Sequence, residues 1–179
     1  MATHGYAGTT MRAVAERAGV SVKTIEAAFA TKANLLKELI DVRVAGDDEP
    51  VPIIDRPAVA EMIAEPDVDR LLELNAAFCA AITRRIVVID RVAREAAPLS
   101  EELTALFRLS LDNRRRGARE FIEVLAAKAT LRLDLDVAVD TMWALLDPHV
   151  YDLLTADGGW IHEEFVAWLA DAQRRLLVA

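Results

Sequence analysis

From residue 11 to residue 177 the apolar side chains recur three and four positions apart in almost every segment, and no run sustains the every-other-residue alternation of a half-buried strand. A helix with an apolar stripe is stable only when another element covers the stripe, so the pattern predicts an all-α fold of helices packed on helices. One stretch departs from it, Thr130-Leu-Arg-Leu-Asp-Leu-Asp136. A lone strand has nothing to pair with, and the stretch reads as a connector. A chain of 179 residues, 54% apolar, is long enough to bury a sizeable core in one or two domains.

Glycine, serine and threonine punctuate the first part. Breaks at Gly8, at residues 19–21 and at residues 30–31 separate predicted helices over 10–18, 22–29 and 32–45. The segment 46–57 holds three prolines and the acidic triplet Asp47-Asp48-Glu49, which predicts a helix-free stretch. The expected division is an N-terminal domain over 1–46, a linker over 47–57 and a helical body over 58–179. In the body, helices are predicted near 58–64, over 67–97 with a break around Thr83, from Ser100 to about residue 128, and over 137–147, 149–156 and 162–177.

Charge is uneven along the chain. Residues 1–46 hold six Lys and Arg against four Asp and Glu, whereas the rest holds 15 against 25. A net basic head on an acidic body predicts that the two parts meet different partners. The longest apolar run, residues 76–82, is seven long against the roughly 20 needed to span a bilayer, so a cytoplasmic location with no membrane partner is expected. Cys79 is the only cysteine, which excludes an internal disulfide and points to a small buried hydrophobe.

The most specific stretch is Met11-Arg-Ala-Val-Ala-Glu-Arg-Ala-Gly-Val-Ser-Val-Lys-Thr-Ile-Glu-Ala-Ala-Phe29. Two helices crossing steeply over a short turn need a small residue at the contact, a glycine at the turn and apolar residues inward. Ala15 and Gly19 fill the first two roles, Val14, Ala18, Val20, Ile25, Ala28 and Phe29 the third, and Ser21 suits the N-cap of the second helix. This is the pattern of a helix-turn-helix. Its second helix would then present Val22, Lys23, Glu26, Ala27 and Ala30 outward. In a major groove Val22 or Ala27 could touch a thymine methyl, Lys23 a guanine edge or phosphate, and Thr24 a phosphate. Glu26 either accepts from a cytosine amino group or pairs with Lys23 one turn away, and the pairing is favoured.

Gly5-Tyr6-Ala7-Gly8-Thr9-Thr10-Met11, followed by Ala18-Gly-Val-Ser21, Thr24-Ile25, Phe29, Thr31-Lys32 and Leu35-Leu36, resembles the DNA-binding segment of the tetracycline repressor (TetR) family of transcriptional regulators. The resemblance implies DNA contacts from Thr10, Thr24 and Lys32, the last reaching phosphate from the start of the third helix. It also implies a helical C-terminal domain that dimerises and holds an effector pocket. Two positions depart from the family pattern. Glu26 stands where the family usually has a tyrosine near the DNA backbone, and only Met1, Ala2 and Thr3 precede His4 where the family has a further helix. The chain is therefore expected to be an N-terminally shortened form, with a mobile first unit and reduced operator affinity.

The implied function is a DNA-binding transcriptional regulator, a repressor released from a palindromic double-stranded operator by a small-molecule effector. The alternative is a helical small-molecule-binding protein without DNA-binding activity. An enzyme is not expected: His4, His149 and His162 fall in no metal-ligand or nucleophile spacing, so no catalytic residue, metal or cofactor is assigned. Phe78, Cys79, Ile82, Phe107, Leu111 and Phe121 are apolar at helical spacing and are predicted to line the effector pocket. Arg114-Arg115-Arg116 with Arg119 reads as a helix face paired with acids, with an anionic effector as the alternative partner. Val137, Val139, Met142, Trp143, Leu145 and Leu146, with Phe165, Val166, Trp168, Leu169, Leu176 and Leu177, exceed what one helix face buries and predict a homodimer.

Overall fold

The computed structural model describes residues 1–46 and 53–179. Among them, turns over the first ten residues lead into α1 (Met11–Ala18), α2 (Val22–Phe29) and α3 (Lys32–Ala45). The body follows as α4 (Pro57–Ala64), α5 (Val68–Ala96), α6 (Glu101–Ala126), α7 (Leu135–Leu145), α8 (Pro148–Asp152) and α9 (His162–Leu177). The fold is all-α. The starts are set locally: Thr10, Ser21, Thr31, Asp67 and Ser100 each accept a backbone N–H three residues on, satisfying a donor that the first helical turn leaves unpaired. Pro57 opens α4, where a missing N–H costs nothing.

The long helix α5 is the spine, and each third of it meets different partners. Near its start Leu71 and Leu72 pack with Val59 and Met62 of α4, Phe121, Ile122 and Leu125 of α6, and Val139 and Met142 of α7. In the middle, Ala76 and Ala80 let Tyr151 of α8 and Phe165 and Leu169 of α9 approach closely. Towards its end Ile86, Ile89, Val92, Ala93 and Ala96 pack with Ala33, Leu36 and Ile40 of α3 and with Leu103. The third helix of the head is thus built into a core shared with the body.

Four expectations are corrected. α5 runs unbroken through Thr83, whose hydroxyl donates to the Cys79 carbonyl one turn back at 2.9 Å and so does not compete with the helix. The connector over 130–136 does find a partner: Leu131 bridges Val178 in antiparallel fashion, Arg132 N–H donates to Leu177 O at 2.9 Å, and α7 starts two residues early. In the segment expected to be helix-free, Ile53–Asp55 forms a 3-10 turn. The part of that linker over 47–52 lies outside the described residues. The helix expected over 149–156 is α8 followed by a π-helical turn, Leu153–Asp157.

Within the head, Ala15 and Ile25 are buried and Val14 and Phe29 half-buried, but Ala18, Val20 and Ala28 face outward. No further described element covers that side of the α1–α2 pair. The apolar surplus on α7 and α9 is also smaller than expected. Val139, Met142, Phe165, Leu169 and Leu177 are buried within the chain, and Val137 and Leu176 stand exposed.

Candidate nucleic-acid interface and ligand cavity

The α1–α2 corner is fixed by its caps. Gly19 takes a left-handed conformation, φ 70°, and its N–H returns to Ala15 and Glu16 carbonyls, which closes α1. Ser21 Oγ then accepts from Thr24 N–H at 3.1 Å and lies 2.8 Å from Thr24 Oγ1, which opens α2. After α2, Ala30 holds φ 57° with Thr31 N–H on Phe29 O at 2.6 Å, a γ-turn that a non-glycine residue adopts only under strain. The strained turn joins α2 directly to α3.

Thr10, Lys23, Thr24, Glu26 and Ala27 are exposed, and Val22 and Lys32 are half-buried. The Thr10 hydroxyl accepts from Ala13 N–H at 3.1 Å and keeps its own proton for an outside acceptor. Lys32 has an internal task that its sequence position did not suggest. Its ammonium donates to Tyr6 O and Thr9 O, each at 2.9 Å, and lies 4.1 Å from the centre of the Tyr6 ring. Two of its three protons are thus spent tying the N-terminal turn to α3, and one remains. Lys23 and Glu26 form no ion pair among the described residues, in contrast to the favoured pairing.

Arg12 and Arg17 on α1 are also exposed and, like Lys23, have no ion-pair partner among the described residues. Eight of the body's arginines, Arg70, Arg91, Arg94, Arg114, Arg115, Arg119, Arg174 and Arg175, hold carboxylates, whereas Arg84, Arg108 and Arg116 are exposed with no ion pair among the described residues. Arg12 and Arg17 were not singled out from the sequence. Their signal was the local charge balance rather than any motif.

A cavity of about 770 Å³ lies among α3, α4, α5 and α6. Phe78, Cys79, Ile82 and Phe121 line it, while Phe107 and Leu111 do not. Phe107 packs instead against the α3–α5 core, with the Arg94 guanidinium 5.2 Å from its ring centre. Sequence reasoning missed the contribution of α3, whose Ile40 and Val44 form part of the wall, and the buried Asn75, which donates to Gln173 Oε1 at 3.0 Å. No periodicity in the head could show that its last helix borders a void in the body.

Cys79 keeps some accessible surface because it faces this cavity, and burial pushes its thiol up to about 12. The thiolate fraction at pH 8 is then about a thousandfold below that of a free thiol. Alkylation of folded protein by iodoacetamide at pH 8 is expected to run at least ~100-fold slower than in urea. Equal rates would place the thiol in solvent. A raised thiol pKa contributes stability that is complete below the ordinary thiol range and declines as pH climbs towards 12.

Residues 1–39, from the N-terminal turns into α3, match the family model described as bacterial regulatory proteins, tetR family. No curated protein and no solved structure matches the chain. The matched span contains the capped α1–α2 corner, the Lys32 tether and the free cations Arg12, Arg17 and Lys23, which are the parts a DNA-reading head requires. Over this N-terminal helix-turn-helix the chain is similar to the tetR family of bacterial regulatory proteins.

Proposed function

We propose that the chain is a homodimeric repressor, divided into a reading head over 1–46, a linker over 47–57 and an effector-binding body over 58–179. The carrying observation is that the capped helix-turn-helix exposes Arg12, Arg17 and Lys23 with no ion-pair partner among the described residues, while eight arginines of the body hold carboxylates. Free cations beside a capped helix-turn-helix suit a phosphate backbone. α2 would enter the major groove, with Val22 and Ala27 against thymine methyls, Lys23 on a guanine edge or phosphate, and Thr24 and Thr10 donating to phosphate. Lys32 would act mainly by positioning, with one remaining proton directed to the backbone.

Release follows from linkage. The cavity borders α3, and α3 carries the head, so a ligand that prefers one seating of α3 on α5 and α6 biases the spacing of two heads in a dimer. The coupling is reciprocal, and operator DNA would weaken ligand binding by the same factor. Exposed Val137 on α7 and Leu176 on α9 are available to a symmetry mate.

Selection from random duplex DNA is expected to return a palindrome, the mark of two heads related by a twofold axis. On that site Lys23→Ala should weaken binding by about 1–3 kcal/mol and relax specificity at one base pair, whereas Arg12→Ala and Arg17→Ala should each weaken all sequences and lower the salt slope by about 1. Recovery of no preferred DNA by a folded chain would instead support a helical small-molecule-binding protein.

A further inference from the structure

The cavity wall carries Lys37, Arg114 and Arg116 against Asp41, Glu120 and Glu123, so its formal charges cancel. Lys37 is held by Asp41 at 2.7 Å, and Arg114 by Asp90 and Asp147 at 3.4 and 3.2 Å. The polar side chains of α5 are also engaged, Asn75 with Gln173 and Thr83 with the Cys79 carbonyl. Most of the remaining wall is hydrocarbon and aromatic ring, including Leu71, Phe78, Ile82, Ile86, Phe121 and Met142. Arg116, Glu120 and Glu123 hold no ion pair among the described residues, but they are solvent-exposed and of mixed sign. An ion entering this space would therefore lose its hydration without gaining a buried counter-charge, whereas an apolar molecule would gain on both sides.

Gly117 adds an independent observation. It lies in the interior of α6, where glycine is less favourable than alanine, and no positive φ requires it. A Cβ built on it would meet no atom within 4 Å, so close packing does not require it either. Gly117 is part of the cavity wall. Its effect is to leave the α6 backbone bare towards the void, enlarging the space beside Phe121. We propose that the cavity takes an uncharged, predominantly apolar small molecule, and that Gly117 sets its specificity by letting the ligand lie against the α6 backbone. The assignment rests on the reading of the cavity as the effector site.

The test titrates the full chain with uncharged N-phenylnaphthylamine and with the anionic anilinonaphthalene sulfonate, by fluorescence, in wild type, Gly117→Ala, Gly117→Leu and Gly117→Phe. Wild type should bind the uncharged probe saturably and at least ~10-fold more tightly than the anion, and the Leu and Phe variants should lose at least ~10-fold in that affinity. Gly117→Ala should raise Tm by about 2 °C, because the added methyl meets open space and favours the helix. Equal affinity for the two probes, unchanged binding in the Leu and Phe variants, or a lowered Tm for the Ala variant would each overturn the proposal. If the Phe variant loses helicity, the Leu variant decides. DNA selection with the same wild-type protein, free of probe, separates the two readings. A chain that selects DNA but binds no probe overturns the cavity assignment alone. One that binds the probe at Gly117 but selects no DNA supports the assignment and overturns only the regulator.

Discussion

Asp90→Ala is expected to destabilise the chain by about 3 kcal/mol, at the lower end of the loss seen when one partner of a buried ion pair is removed. Asp90 is only 7% exposed, and its carboxylate accepts from Arg94 at 3.3 Å and from Arg114 at 3.4 Å. Arg94 can turn to solvent, but the Arg114 side chain is 12% exposed and cannot. It would be left to Asp147 alone, which keeps the expected loss from being larger. The surface pair Arg115–Asp140, 41% and 56% exposed, is the control: Asp140→Ala should cost less than about 1 kcal/mol despite its shorter 2.8 Å contact. Urea unfolding at constant m separates the two. Equal midpoint shifts would show that burial adds nothing to the Asp90 network.

Leu36→Ala is expected to cost about 3 kcal/mol or more, since a fully buried leucine loses both its transfer energy and its packing when truncated. Leu36 is 0% exposed, enclosed by Ile86, Ile89 and Val92 of α5 and by Ala33 and Ile40 of its own helix. The loss should fall unevenly. α3 holds the head to the body through this core, which also takes in Leu103 at the start of α6, whereas α7 and the second half of α6 are secured by a separate one around Ile122 and Val139. Amide-exchange protection over residues 11–45 should therefore drop more than over α7 and the second half of α6, and DNA affinity should fall with it. A loss spread evenly over the chain would show that head and body open as one unit.

The helices of the head were legible because their boundaries are set within four residues. Thr10, Ser21 and Thr31 cap helices from positions that any reader of the chain can mark, and Gly19 and Gly46 end two of them in the left-handed conformation. Thr83 was misread for the complementary reason. Its type suggests a break, but its hydroxyl finds the carbonyl one turn back, and the surrounding core keeps α5 straight through it. The strand-like connector is similar. Leu131 pairs with Val178, 47 residues away, and nothing local to either residue announces it.

The candidate site divides along the same line. The exposure of Lys23, Thr24, Glu26 and Ala27 follows from one helix with Ile25 turned inward, so the 3.6-residue period is enough to place them. Lys32 could not be placed that way, because the carbonyls it holds belong to a turn 23 and 26 residues earlier. By itself the sequence determined an all-α chain, a helix-turn-helix with its caps, and the outward placing of Lys23, Glu26 and Ala27 on α2, though not that of Ala28. These depend on local hydrogen bonds and on the helical period, and both are complete within a few residues. Only the tertiary structure decided that Phe78 and Phe121 border a void while Phe107 and Leu111 do not, that α3 forms part of its wall, and that Arg114 is held by Asp90 of α5 and by Asp147 at the N-cap of α8. A helix's apolar stripe is wider than any single contact, so which part of it meets a neighbour and which part meets empty space is set only when the helices pack.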